Sequence, residues 1–229
     1  MNINDVHNTI QYIVNKDQNQ SITHAEIDNI LDRAQLVLFN QYHTNPKMPA
    51  QTQMARYGDS QRIDDSLSAF KSIFTFTTGD TPGGVLTLPA GYMHLISLHT
   101  TTYNNQIARN VTHAVQVLSE EELSMRLESQ VIPLDDEEPV AIMHQSTIRM
   151  YPATTKQGQL FYFRRPAVPV FGYTSSGRTA TYNSGTSTQL EWRDYDIMNI
   201  ISIALTYIGI NMSSADVTQF AQLKTQEGQ

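Results

Sequence analysis

Cysteine is missing altogether from this chain of 229 residues. Disulfides, thiolate metal sites and cysteine nucleophiles are therefore excluded together. Charge is scarce as well: charged residues make up 16%, and 15 Lys+Arg against 22 Asp+Glu leave a formal net charge of -7. A dedicated nucleic-acid binder needs clustered cations to neutralise phosphates, and the only Arg pair is Arg164-Arg165 in "FRRP". Long apolar runs are lacking too. The greasiest stretch, near 194–208, covers about fifteen residues, short of the ~20 that cross a bilayer. The start, "MNINDVHNTIQYIVNKDQ", has neither a cationic n-region nor an unbroken apolar h-region, so no secretory signal is expected. The sequons at Asn110 and Asn211 then carry no weight in an Asn/Thr-rich chain.

What remains is a chain with 40% hydrophobic residues, mean hydropathy -0.35 and a neutral polar coat, enough to bury a core. Ile3, Val6, Ile10, Ile13 and Val14 recur at helical spacing. Thr23 and Glu26 form a capping box that opens a second helix to about Tyr42, with Ile27, Ile30, Leu31, Ala34, Val37 and Leu38 on one face. Residues 44–61, with two prolines and no periodicity, read as a long loop. A third short helix is expected from Arg62 to Lys71.

The period changes from residue 72. "SIFTFTT" and "VLTLP" alternate and read as two strands joined by the loose turn "GDTPGG". "YMHLISLHTTTY" and "QIARNVTHAVQVL" read as a hairpin, and "VAIMHQSTIRMYP" with "QLFYFRRP" as a further strand pair around "ATTKQG". Ser119 and Glu122 make a second capping box, opening a short helix near 119–128 with Leu123 and Leu127 inward. Residues 166–188 read as an irregular excursion. The expected class is α+β: N- and C-terminal helices (1–71 and 191–229) form one bundle, with an antiparallel β-rich part (72–190) inserted.

No pattern for chemistry emerges. "GDTPGGV" lacks the Lys-Ser/Thr ending of a phosphate loop and precedes a strand. The acidic run Asp135–Glu138 reads as a solvated turn and not a divalent-ion site. Seven histidines are scattered, and a regular strand would put His94 and His99 on opposite faces. No nucleophile elbow is present. Catalytic, cofactor and metal residues are therefore expected to be none. At the end of the chain, Ile197, Ile200, Ile201, Ala204, Leu205 and Ile208 form one stripe of a core helix opened by Asp194 and stopped by Gly209. Beyond it, Val217, Phe220 and Leu223 are the sparse apolar members of a last short helix, too short to stand alone in water.

Four stretches carry a resemblance: "LPAGYMHLISL", "VQVLSEEELSMRLESQVIP", "EPVAIMHQSTIRMYPATTKQGQLFYFRRPAVPVFGY" and "STQLEWRDYDIMNIISIALTYIGIN". In this order they resemble tailed-bacteriophage head-to-tail connector proteins, the portal adaptor or ring proteins, most like those of crAss-like phages. The likeness spans about residues 60–229. It implies a non-enzymatic virion protein, assembled in the host bacterial cytoplasm. Its partners would be its own copies in a twelve-fold ring, the portal protein and neighbouring tail rings. Double-stranded DNA would pass through the channel without specific binding, and no membrane is involved. The family's C-terminal segment reaches the portal, which puts Val217, Phe220 and Leu223 in a docking arm. Net negative charge along a channel would let DNA slide. Two other classes stand beside it: a phage tail carbohydrate-binding module or small tail enzyme using Trp192 and the Tyr-rich 166–188 region, and a packaged cargo protein.

Overall fold

A computed structural model describes residues 1–17, 22–44, 62–104, 108–129, 134–154, 156–176 and 179–211. Of the expected loop at 44–61, Thr44 ends a helix, and the rest, like the expected docking arm at 213–229, lies outside the described residues. The chain is α+β, with helices towards both ends and a β-rich middle. It divides into two compact units, residues 1–69 with 166–229, and Phe70–Arg165.

The first unit holds helices α1 (Ile3–Asp17), α2 (His24–Thr44), a short α3 (62–67) and α5 (Asp194–Asn211). The Thr23 cap forms as the sequence requires: the Thr23 N–H donates to the Glu26 carboxylate at 2.9 Å, and the Glu26 N–H donates back to Thr23 Oγ1 at 3.3 Å. Ile3, Val6, Ile10 and Val14 of α1 and Ile27, Leu31, Ala34, Leu38 and Phe39 of α2 are buried. Ile197, Ile200, Ile201, Ala204, Leu205 and Ile208 are buried along α5, which packs against α1 and α2. Gly209 does not stop α5, which runs on to Asn211. A glycine costs only ~1 kcal/mol inside a helix, and packing of the apolar stripe outweighs it.

Residues 166–190 belong with these helices and not with the inserted β part. The Gln35 amide donates to the Ala167 carbonyl at 3.0 Å, and the Glu191 carboxylate accepts from the Ala167 N–H at 3.0 Å. Nor is the stretch wholly irregular, because β9 (Tyr173–Ser176) and β10 (Thr179–Tyr182) pair as a small hairpin.

The second unit has three layers. One sheet has the order β1 (Lys71–Phe76), β8 (Gln157–Arg164), β3 (Tyr92–Asn104), β4 (Arg109–Ala114). The other has β2 (Val85–Thr87), β7 (Thr147–Tyr151), β6 (Val140–Met143), β5 (Gln116–Val117). Phe76, Leu98, Leu160 and Tyr162 of the first interdigitate with Leu86, Ala141, Ile148 and Met150 of the second. On the far side of the second sheet, Leu123 of α4 (Glu120–Glu128) packs on Val140 and Ile142.

The β3–β4 hairpin forms as the alternation suggests over Arg109–Ala114. The end of the same stretch, Gln116–Val117, is β5 of the other sheet and runs parallel to β6, against the all-antiparallel expectation. Two further pairings differ. β1 and β2 enter different sheets, pairing with β8 and β7, so "GDTPGG" bridges layers and is not a hairpin turn. There Thr81, fully buried, exchanges hydrogen bonds with the Lys156 backbone at 2.6 and 2.7 Å. Gly84 sits at φ +76 where a Cβ would lie 2.7 Å from the Met150 carbonyl oxygen. "VAIMHQSTIRMY" is itself the β6–β7 hairpin, turning at 144–146, while β8 joins the other sheet. A local alternation pattern carries no information on which sheet a strand enters, so these crossings were not legible.

Candidate functional site

His7, fully buried on α1, is the centre of a concentrated polar arrangement in the helical unit. Its Nε2 lies 3.0 Å from Asp28 Oδ1 and its Nδ1 lies 3.1 Å from His24 Nδ1. His24 and Asp28 stand one helical turn apart on α2, at i and i+4, and so share a face. The two Asp28 oxygens also accept from the Phe171 N–H at 3.1 and 3.0 Å. The Phe171 ring stacks on His24 with centroids 4.1 Å apart and planes within 9°, and on His7 at 4.6 Å. A groove of about 470 Å³ opens beside this stack, lined by Gln11, Thr23, His24, Asp28, Phe171 and Tyr173 among others.

The proton positions follow from the donor inventory. As a carboxylate Asp28 can only accept, so His7 carries its proton on Nε2. The Nδ1 of a neutral His7 is then an acceptor, and His24 must donate from Nδ1. That leaves the His24 Nε2 lone pair on a residue that lines the groove, with no hydrogen bond from the described residues. Burial, and next the neighbouring His7 ring, push the His24 pKa down from 6.5, against the opposing pull of Asp28. The neutral form is thereby favoured. The row can accept a hydrogen bond from a ligand donor and can stack a flat group; among the described residues no group of three His, Cys, Asp or Glu could hold a metal ion.

This cluster has no sequence signature apart from the His24–Asp28 spacing, because His7 and Phe171 come from remote segments. Of the residues singled out in the sequence, the stripe Ile197, Ile200, Ile201, Leu205 and Ile208 is core. Val217, Phe220 and Leu223 lie outside the described residues. Trp192 is 5% exposed and set edge-on to Tyr42 at 6.1 Å, so it offers no stacking face to a sugar. The Asp135–Glu138 run is tied up within the protein. The Asp135 Oδ1 accepts from the Glu137 and Glu138 N–H groups at 3.0 and 2.8 Å, Asp136 pairs with Lys156 at 2.5 Å, and Glu138 pairs with Arg126 at 3.0 Å.

His94 and His99 share one face of the first sheet, contrary to the regular-strand expectation. Register shifts between Tyr92 and His94 and between Leu95 and Ser97 place them opposite Phe163 and Gln159, both on the outer side. Each one-residue bulge resets the alternation. Leu127 is 52% exposed and not inward on α4, where only Leu123 is buried. No protein-family model matches the chain, and no curated protein matches it.

Proposed function

We propose that this chain is a structural subunit of the ring between portal and tail in a tailed bacteriophage, stacking its copies around the path of the DNA. The observation that supports it best is the placing of exposed large apolar side chains on several separate faces. Ile73 and Tyr103 are 60% and 59% exposed on the first sheet, Met125 and Leu127 are 69% and 52% exposed on α4, and Tyr195 and Met198 are 50% and 54% exposed on α5. Exposed apolar side chains that adjoin one another mark an interaction surface, as Tyr195 and Met198 do at i and i+3 on α5, and a ring subunit needs such a surface on each flank and at each end. The architecture agrees with what the resemblance implies, a helical unit built from both ends of the chain with a β unit inserted between.

In this reading Val217, Phe220 and Leu223 contact the portal, and the subunit carries virion structure and no catalysis. Co-purification with the portal protein of the same phage tests it. The full chain should join the portal, and a chain lacking residues 213–229 should fold with unchanged far-UV circular dichroism yet fail to join. Absence of the chain from purified virions, or a truncated chain that binds portal as well as the full one, would refute the respective parts.

A further inference from the structure

We infer that copies of this chain associate head to tail through their β units, the outer face of the β1-β8-β3-β4 sheet of one copy receiving the α4 face of the next. The inference rests on the ring reading for its closure, but the pairing comes from the unit's own surfaces. These two surfaces are the opposite sides of the three layers, since the interior of the first sheet is filled by the second and α4 covers the second sheet's far side. A contact between opposite faces is heterologous and therefore propagates, closing into a ring where the rotation permits.

The register defines the first face. Ile73 on β1 lies opposite Phe161 on β8, and Lys71 opposite Phe163, while His94 and His99 on β3 lie opposite Phe163 and Gln159. The centre is aromatic and apolar, with His99 edge-on to Phe161 at 5.6 Å and Ile73 60% exposed. The four strands contain not one Asp or Glu, and of their three cations Lys71 stands on this outer side, whereas the register turns Arg109 and Arg164 to the other. The second face has the opposite sign. Residues 120–138 hold eight carboxylates and one cation, Arg126, with Arg149 exposed on the same side of β7. In its middle stands Met125, 69% exposed, with Glu121 and Glu128 flanking it at the i−4 and i+3 positions of the helix, while Leu127 lies at the edge of the helix next to the sheet.

Each face thus offers exposed apolar side chains, and a face with Lys71 and no carboxylate meets one that keeps six carboxylates beyond the two, Asp136 and Glu138, paired with Lys156 and Arg126. Complementary potentials fix which surfaces meet and reject the alternatives: two α4 faces would set like charges against each other, a costly juxtaposition. A second copy is the occupant that the chain itself supplies in equal number.

The absence of cysteine makes the test direct. I73C and M125C are introduced singly into the full chain, both at exposed positions where folding is checked by circular dichroism, and treated with a short bis-maleimide. A mixture of the two single variants should give crosslinked dimers, either alone should give almost none, and the double variant should give a ladder. The charge reversal E121K/E128K should weaken association by about tenfold or more, with K71E in the neighbouring copy recovering part of it. Crosslinking of I73C to itself, or association measured by sedimentation without coupling of I73C to M125C, overturns the pairing and leaves the ring reading standing. A chain that stays monomeric at millimolar concentration also overturns the pairing. Coupling that yields open filaments and never closed rings upholds the pairing and refutes the ring.

Discussion

Removing the Asp28 carboxylate should cost the helical unit far more than neutralising it. In Asp28→Ala two donors lose their acceptor, the Nε2–H of His7 at 3.0 Å and the Phe171 N–H at 3.1 and 3.0 Å. An orphaned buried donor costs about 1–3 kcal/mol. The His7 side chain is 0% exposed and takes the upper part of that range, whereas the Asp28 side chain is 17% exposed, so water can partly replace it at Phe171. The expected loss is about 2–4 kcal/mol, which at 2–4 °C per kcal/mol for a chain this size lowers Tm by roughly 5–15 °C. Asp28→Asn behaves differently. Its amide oxygen still accepts from Phe171, and its NH₂ donates to His7 once that ring moves its proton from Nε2 to Nδ1, which in turn donates to His24. The cost should be about 1 kcal/mol, with the tautomer change visible in the ¹⁵N shifts of His7. Thermal unfolding followed by the fluorescence of Trp192, buried in the same unit, reads both variants. If Asp28→Ala is within 1 kcal/mol of the native chain, or Asp28→Asn is as damaging with no tautomer change, the proposed hydrogen-bond row is wrong.

Three further outcomes are expected. Because His24 titrates below 6.5 in the fold, the unfolded chain binds more protons near that pH. Its contribution is therefore complete above about pH 6.5 and is lost as pH falls below it; His24→Gln should flatten the Tm decline between pH 7.5 and 5, and an unchanged slope would refute the assignment. Gly158→Ala would put a Cβ 2.0 Å from the His99 carbonyl oxygen in the centre of a sheet and should cost about 3 kcal/mol or more in urea unfolding. Gly91→Ala, at φ +78 but in open space, should cost only ~1 kcal/mol, so equal losses would contradict the close approach of β8 to β3. Ser119→Ala removes the acceptor for the Glu122 N–H and should cost ~1 kcal/mol; hydrogen bonds from Ser119 also hold the Glu122 carboxyl below its ordinary range, so the cap fades as pH falls through that range, and a chevron or melt insensitive to the substitution would refute it.

The sequence by itself determined what is local. Helical period placed Ile3, Val6 and Ile10 inward on α1 and the Ile197–Ile208 stripe inward on α5, and the Thr23–Glu26 and Ser119–Glu122 boxes fixed two helix starts, because each of these depends on neighbours within four residues. Alternation marked β3 and β4 as strands and the α+β order followed. The tertiary structure decided everything that depends on remote partners. It sent β1 and β2 into different sheets, took residues 166–190 into the helical unit through Asp28 and Gln35, and buried Trp192. It also brought His94 and His99 to one face, since a bulge changes strand parity without a fixed residue signature. The row Asp28–His7–His24 is of the same kind: the residues are plain in the sequence, and only packing shows which of them meet.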